Sequence, residues 1–155
     1  GYTKLILTVE GGVPGHLMAL EGEHPLDAPD PGETVTRKLP GWQVVLQRVA
    51  NAEKLPLRDP FTAYIDLNRV GQDLWVRRRV PGDRFQPSGM ESEKKLQDFF
   101  VDRKVPRSSR DAIPLVVSER GIAWVVGHRV AEWARSVEGS LDLLSVEFRR
   151  EEHLS

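Results

Sequence analysis

The sequence predicts an α+β domain made mainly of short antiparallel strands in a sandwich-like arrangement, with one or two short helices. Runs of apolar and β-branched residues recur along the chain, separated by turn-forming Gly and Pro. One stretch, at residues 96–100, has the i, i+3, i+4 apolar spacing of a helix face. The 155 residues are 39% hydrophobic and 29% charged, which is typical of a folded domain able to bury its own core.

Residues 1–60 are expected to be a strand-rich segment, which either belongs to the same domain as residues 61–150 or bridges to another domain. Strands are predicted at 4–10, 33–38 and 41–49. The intervening stretch 21–32 is expected to be a linker or a long loop, because it contains three prolines and four acidic residues.

A strand at 61–67 is predicted to alternate, with Tyr64 and Asp66 on the face opposite its apolar residues. A turn at 68–71 then leads into a strand at 74–80. One face of this second strand carries Trp75, Arg77 and Arg79, whereas Arg78 shares the other face with apolar side chains. The first of these faces is therefore expected to be solvent-exposed and positively charged.

The remaining elements follow from turn residues and apolar spacing. Residues 81–90 form a loop, and Ser92 is expected to cap a helix whose buried face holds Leu96, Phe99 and Phe100. Pro106 ends this element, and Ser108 or Ser109 is expected to cap one further helical turn. The chain then forms a tight hairpin from 113–118 and 122–126, and a last strand at 141–149.

The net charge of −1 hides an uneven distribution along the chain. Residues 1–73 carry 7 basic and 10 acidic side chains, residues 74–110 carry 10 and 5, and residues 111–155 carry 5 and 8. The local balances are therefore −3, +5 and −3. Such a basic island is the electrostatic footprint of a nucleic-acid surface, although a solvated face is an equally simple interpretation.

No catalytic or metal-binding residue is predicted. The sequence lacks a phosphate-binding loop, a dinucleotide fingerprint, a nucleophile elbow and an H-E-x-x-H motif. Its four histidines are scattered singly, and the absence of cysteine excludes thiolate chemistry and sulfur-bound zinc. Asp98 and Asp102 are expected to pair with neighbouring lysines. Among the tryptophans, Trp42 and Trp124 are expected in the core, whereas Trp75 and Trp133 are candidates for stacking on a ligand.

The region from residue 75 to residue 135 carries a dense, ordered series of motifs. It contains WVRRRVPGDRFQPSGM and KKLQDFFVDRKVPRSSRDAIPLVV, followed by W-V-x-G at residues 124–127. This series closely resembles the C-terminal domain of tRNA(Ile)-lysidine synthetases, which belong to the N-type ATP pyrophosphatase group. Three positions depart from the family pattern: Ser88 stands where an apolar residue is usual, Arg103 where a small one is common, and His128 where leucine is typical.

The resemblance implies a fold similar to a domain of the phenylalanyl-tRNA synthetase β subunit, and a tRNA-binding role at the acceptor stem. The family's enzyme uses ATP, with Mg²⁺, and lysine to convert the wobble cytidine of a CAU anticodon to lysidine. ATP and lysine bind an N-terminal domain with an S-G-G-x-D-S motif, which this sequence lacks. We therefore expect a catalytically inactive fragment of a cytoplasmic enzyme that binds tRNA(Ile) and no cofactor itself.

The residues expected to bind RNA are basic positions within the matching region. They are Arg77, Arg79, Arg84, Lys94, Lys95, Arg103, Lys104 and Arg107. For Arg84, pairing with Asp83 to fix the loop is an alternative role. The alternative for the whole chain is a non-catalytic packing module, in which the basic face is incidental. Whether the chain forms a homodimer is left open, and an independent small-molecule enzyme lacks a catalytic constellation.

Overall fold

The computed structural model describes residues 19–50 and 59–151, and this part of the chain has an α+β fold. The strands are β1 (His24–Asp27), β2 (Thr34–Leu39), β3 (Trp42–Val49), β4 (Thr62–Asp66), β5 (Asp73–Arg77), β6 (Arg84–Phe85), β7 (Lys94–Lys95), β8 (Leu115–Ser118), β9 (Gly121–Val125), β10 (Arg129–Val130) and β11 (Leu143–Arg150). The helices are α1 (Leu67–Val70), α2 (Leu96–Asp102) and a 3-10 helix at Arg107–Ala112.

Two antiparallel sheets pack around one core. The larger has the order β1-β5-β8-β9-β10, the smaller has the order β2-β3-β11-β4, and β6 and β7 form a separate two-stranded ribbon. The rings of Trp124 in β9 and Phe148 in β11 meet edge to face, with 5.5 Å between their centroids. Because these rings belong to different sheets, the contact fixes how the sandwich closes. Trp42 and Trp124 are both buried, as predicted.

The segment 21–32 is not simply a linker, since it contains β1, which pairs with β5. Pro25 is tolerated because β1 is an edge strand, where a missing backbone N–H breaks no central ladder. β1 pairs with β5, and β3 pairs with both β2 and β11. Both sheets therefore contain strands from residues 19–50 and strands from residues 59–151. The strand predicted at 4–10 lies outside the described residues.

β4 is buried on both faces, which corrects the predicted alternation. Tyr64 and Asp66 are only 7% and 5% exposed. Asp66 is satisfied because its carboxylate accepts hydrogen bonds from the backbone N–H of Asn68 at 3.0 Å and from the Ser140 hydroxyl at 2.8 Å. The first of these bonds caps α1, a single helical turn where the sequence predicted a turn at 68–71.

α2 buries Leu96, Phe99 and Phe100, as its apolar spacing predicts. Its predicted cap at Ser92 is wrong because residues 94–95 remain extended as β7, pairing with β6, so the helix begins only after Lys95. The next helical turn likewise begins after Pro106 rather than at a serine cap. No helix in the described part of the chain is long and apolar enough to cross a membrane.

Candidate nucleic-acid interface

A cleft of about 680 Å³ lies between the loop that follows β5 and the beginning of α2. We call it the basic cleft, because four basic side chains line it against two acidic ones. The basic residues are Arg78, Arg79, Arg84 and Lys95, and the acidic residues are Asp83 and Asp111. The lining therefore carries a net charge of +2, and its concave wall concentrates that field.

The Asp83 carboxylate organises the loop that forms one wall of the basic cleft. Arg77 donates two hydrogen bonds to it, from Nη1 at 2.9 Å and from Nη2 at 3.0 Å. The backbone N–H of Val80 donates a third, at 2.9 Å. Gly82 completes the turn with φ 88°, which L side chains rarely adopt. Asp83 thus fixes the path of residues 77–83.

Arg77 is therefore not on a solvent-exposed charged face, as the sequence predicted. β5 ends at Arg77, and the side chain of this residue is only 17% exposed, against 10% for Asp83. With both ends of its guanidinium on Asp83, Arg77 holds the loop rather than presenting a charge to a ligand. The suggested pairing of Asp83 with Arg84 is also wrong, because Arg84 instead contacts Glu93.

Three other predicted residues form ion pairs at the surface, in which the acidic side chains are 49–61% exposed and the basic ones 25–49% exposed. Arg79 contacts Asp111 at 2.8 Å, Arg84 contacts Glu93 at 3.0 Å, and Lys94 contacts Asp102. Exposed pairs of this kind contribute little to stability, typically below about 1 kcal/mol. These cations can therefore exchange a carboxylate for a phosphate at small cost.

Two exposed cations of the basic cleft, Arg78 and Lys95, form no ion pair with any residue in 19–50 or 59–151. Arg78 escaped the sequence prediction, which placed it on the apolar face of a strand running to residue 80. Because β5 already ends at Arg77, strand alternation does not apply to Arg78. Pro81 and Gly82 limit the strand to residue 80 at most, but they do not show that it ends at Arg77.

A second group of predicted residues lies at the C-terminal end of α2. Arg103, Lys104 and Arg107 are exposed. Lys104 has φ 58°, the one positive value at a described non-glycine residue. Its N–H bonds to the Val101 carbonyl, and the N–H of Val105 bonds to the Phe100 carbonyl, which is the Schellman ending normally formed by glycine.

Arg103 donates from Nε to Nδ1 of His128 at 2.9 Å. Burial, and then the charge of Arg103, lower the pKa of His128. Two of the three positions that depart from the family pattern thus contact each other.

The other sequence candidates lie elsewhere. Trp75 and Trp133 are half-buried against the core and do not line the basic cleft. The guanidinium of Arg120 lies 4.8 Å from the centroid of the Trp133 ring. Arg110 is buried, where it donates to the Val105 carbonyl. Within the residues that the structure describes, no group of three or more acidic, histidine or cysteine side chains is placed to hold a metal ion.

Comparison with known proteins identifies relatives of this domain. The family model described as the TilS substrate C-terminal domain matches residues 74–142. A tRNA(Ile)-lysidine synthase of Dehalococcoides mccartyi is 42% identical over 112 residues, which is 72% of this chain and 24% of that protein. The corresponding enzyme of Symbiobacterium thermophilum is 44% identical over 98 residues, covering 63% of this chain and 20% of the relative.

The chain thus spans a quarter or less of the curated relatives it matches. A crystal structure of a TilS C-terminal domain superimposes with a TM-score of 0.66 at 25% identity, covering 85% of this chain and 100% of that one. The sandwich of two antiparallel sheets with few short helices is therefore the fold of that domain. With the motif series at residues 75–135 and the sequence relatives in agreement, residues 74–142 of this chain are a TilS substrate C-terminal domain.

Proposed function

We propose that this chain is the tRNA-binding part of a tRNA(Ile)-lysidine synthase and that it holds the acceptor stem of tRNA(Ile) with a CAU anticodon. The observation that supports this function best is the basic cleft, where Arg78 and Lys95 are exposed and without ion-pair partners among the described residues. Arg79 and Arg84 add cations whose acidic partners are exposed and replaceable.

The chemistry of an RNA stem fits this surface. A-form RNA has a deep major groove that side chains cannot read, and it presents phosphates and 2′-hydroxyls across a shallow minor groove. A protein that binds a stem therefore needs Arg and Lys on a rigid surface more than it needs base-reading pockets. The loop held by Asp83 provides rigidity at one end of α2, and Arg103, Lys104 and Arg107 extend the charge to the other end.

The ligation chemistry is assigned to another part of the parent enzyme. The sequence has no S-G-G-x-D-S motif, and its one adjacent glycine pair, Gly11 and Gly12, lacks the flanking serine and aspartate. We expect ATP, Mg²⁺ and lysine to bind elsewhere in a cytoplasmic parent enzyme. By itself this chain should form no lysidine.

The test is binding of the 155-residue chain to fluorescent tRNA(Ile) and tRNA(Met), each with a CAU anticodon, at two salt concentrations. Phosphate contacts release counterions, so binding through the basic cleft must weaken steeply as salt increases. Preference for tRNA(Ile) that persists at higher salt would make the domain a discriminator outside the anticodon. Equal, salt-sensitive binding would mean that the domain binds both tRNAs without distinguishing them. Absence of binding would reject the proposal in favour of a packing module.

A matched pair of variants localises the contact. Arg78→Gln with Lys95→Gln removes two charges from the basic cleft, and Arg149→Gln with Arg150→Gln removes two exposed charges from the end of β11. Both variants change the net charge equally, so a purely long-range field would weaken binding equally. Binding in the basic cleft predicts that the first variant loses about tenfold more affinity than the second.

A further inference from the structure

A second cleft, of about 210 Å³, opens beside β4 and β10. We call it the small cleft. Its polar lining includes Tyr64, Ser88, His128, Arg129 and Ser136, and Pro60 and Val130 add apolar surface. Ligand sites for drug-sized molecules usually occupy about 300–1,000 Å³, so this volume suits one small group rather than an extended ligand.

The small cleft is connected to the second basic group through His128. Because Arg103 Nε–H donates to Nδ1 of His128, this nitrogen is unprotonated, and the remaining ring proton is on Nε2. Edge contacts with Phe99 and Phe100, at centroid distances of 6.2 and 6.3 Å, hold the ring in place. The imidazole therefore offers a fixed N–H donor at the boundary between the cleft and the C-terminal end of α2.

The rest of the lining contains unused donors and acceptors. The side chains of Tyr64, Ser88, Ser136 and Arg129 have no hydrogen-bond partner within residues 19–50 and 59–151. Tyr64 is largely buried, and its side chain forms part of the cleft lining. Arg129 is exposed and without an ion pair in the same residues, so it adds a cation at the cleft.

Other charged groups at the small cleft are already engaged. Asp59 accepts hydrogen bonds from the backbone N–H of Phe61 at 2.7 Å and from the Thr62 hydroxyl at 3.1 Å. Arg135 donates to Glu132 at 3.0 Å. The lining thus combines the Arg129 cation and the Asp59 carboxylate with neutral donors, neutral acceptors and apolar surface. This combination is less suited to a bare anion than to a group that is partly apolar.

We infer that the small cleft binds one unpaired nucleotide at the end of an RNA stem that lies on the basic cleft and on Arg103, Lys104 and Arg107. The hydroxyls that line the cleft and the N–H of His128 would form hydrogen bonds with the edge of the base, and Arg129 would contact the phosphate of the same nucleotide. Proteins read RNA sequence mainly at unpaired bases in loops and ends, because such bases expose their edges. This inference rests on the proposed function, since it needs the stem to lie on the adjacent basic residues.

The test compares three fluorescent RNA hairpins of identical stem with the 155-residue chain: one blunt, one with a single unpaired 3′ nucleotide and one with a single unpaired 5′ nucleotide. We expect one tailed hairpin to bind at least about fivefold more tightly than the blunt one, which is what one net hydrogen bond to the unpaired base contributes. The end that gives the gain identifies the nucleotide.

Variants then assign the gain to the small cleft. Arg129→Gln, at an exposed position, and Tyr64→Phe, which removes only a hydroxyl, should each reduce the preference for the tailed hairpin to about twofold or less. Arg149→Gln is the charge-matched control and should keep the full preference. Thermal unfolding checks that Tyr64→Phe remains folded, and Arg129→Gln provides the same test without altering a buried side chain.

The outcomes separate the two proposals. If the wild-type chain binds blunt and tailed hairpins equally, or if both variants retain the preference, the inference about the small cleft is wrong while stem binding stands. If the chain binds none of the hairpins, the proposed function itself fails.

Discussion

Two arginine–aspartate pairs in this domain are both bidentate but serve different regions. Arg48 donates to Asp142 from Nε at 2.9 Å and from Nη2 at 2.7 Å, and Arg77 donates to Asp83 from Nη1 at 2.9 Å and from Nη2 at 3.0 Å. Both pairs are largely shielded from water. What differs is the sequence separation, which is 94 residues for the first pair and 6 for the second.

The Arg48–Asp142 pair therefore ties β3 to the chain that enters β11, two adjacent strands of the smaller sheet. The Arg77–Asp83 pair closes a local loop and sets where Arg78 and Arg79 emerge beside the basic cleft. The same bonds thus stabilise the tertiary fold in one region and shape a binding surface in the other. The role follows from what each pair connects, and variants should separate the two roles.

The largest expected effect is the loss of stability in Asp142→Asn. Removing this charge leaves Arg48 with a weaker acceptor, and hydrogen bonds to charged groups are worth more than neutral ones. We expect the thermal midpoint to fall by about 4–8 °C, while RNA affinity measured well below that midpoint changes less than about twofold. Thermal unfolding and fluorescence anisotropy check the two parts. A large loss of affinity in the folded variant would contradict the division of roles.

The next effect is on RNA binding, in Asp83→Asn. This variant makes the basic cleft more positive, so electrostatics alone predicts tighter binding. We expect RNA affinity to fall about tenfold instead, because the loop is no longer held by Asp83 and Arg78 moves away from its position beside the basic cleft.

Asp73→Asn is the matched control, with the same charge change at an exposed position of β5. It should bind RNA as well as the wild type or slightly better. If Asp83→Asn behaves like this control, the Arg77–Asp83 pair does not organise the site.

How far the sequence predicts this molecule also differs between the two regions. The hairpin β8–β9 and the strands β2, β3 and β11 were predicted because apolar periodicity and turn residues act locally. β1 was missed because its pairing with β5 depends on residues far along the chain.

In the basic cleft, composition identified the cationic segment but not the role of each arginine. Arg77 and Arg78 are neighbours of the same type, and only the end of β5 makes the first a support and the second an exposed charge. The small cleft combines residues from β4, β10 and the loops near them, so no sequence motif reports it.

A smaller effect distinguishes Arg78 from its neighbour. Arg78→Gln should lower RNA affinity about threefold and reduce the slope of log affinity against log salt by about one, as expected for one lost phosphate contact. Lys95→Gln should behave the same way. Salt titrations of the two variants provide the measurement. An unchanged slope with reduced affinity would assign Arg78 a structural role like that of Arg77.

A change at the other end of α2 should affect stability and binding in opposite directions. Lys104 adopts a left-handed conformation that costs an L residue roughly 1–2 kcal/mol, whereas glycine adopts it freely. Because glycine also increases the entropy of the unfolded chain, we expect Lys104→Gly to raise the free energy of unfolding by only about 0.5 kcal/mol.

RNA affinity of Lys104→Gly should fall about threefold through the lost charge. Lys104→Ala, which keeps the unfavourable conformation, should lose affinity without gaining stability. Urea unfolding and anisotropy of both variants would reveal any other combination.

The smallest effect concerns a third arginine contact, in which Arg103 meets a neutral ring instead of a carboxylate. The pKa of His128 is lowered in the folded state by burial and by Arg103, so the unfolded chain takes up a proton first as the pH falls. The contribution of His128 to stability is therefore complete above about pH 6.5 and declines as the pH falls toward its folded pKa.

In His128→Gln this decline should disappear, because the amide does not titrate while its oxygen can still accept a hydrogen bond from Arg103. His24→Gln, at a histidine in β1, should retain it, and urea unfolding at pH 7.5, 6.5 and 5.5 would measure all three proteins. A wild-type slope equal to that of His128→Gln would mean that the pKa of His128 is the same in the folded and unfolded chains, which would contradict its burial beside Arg103.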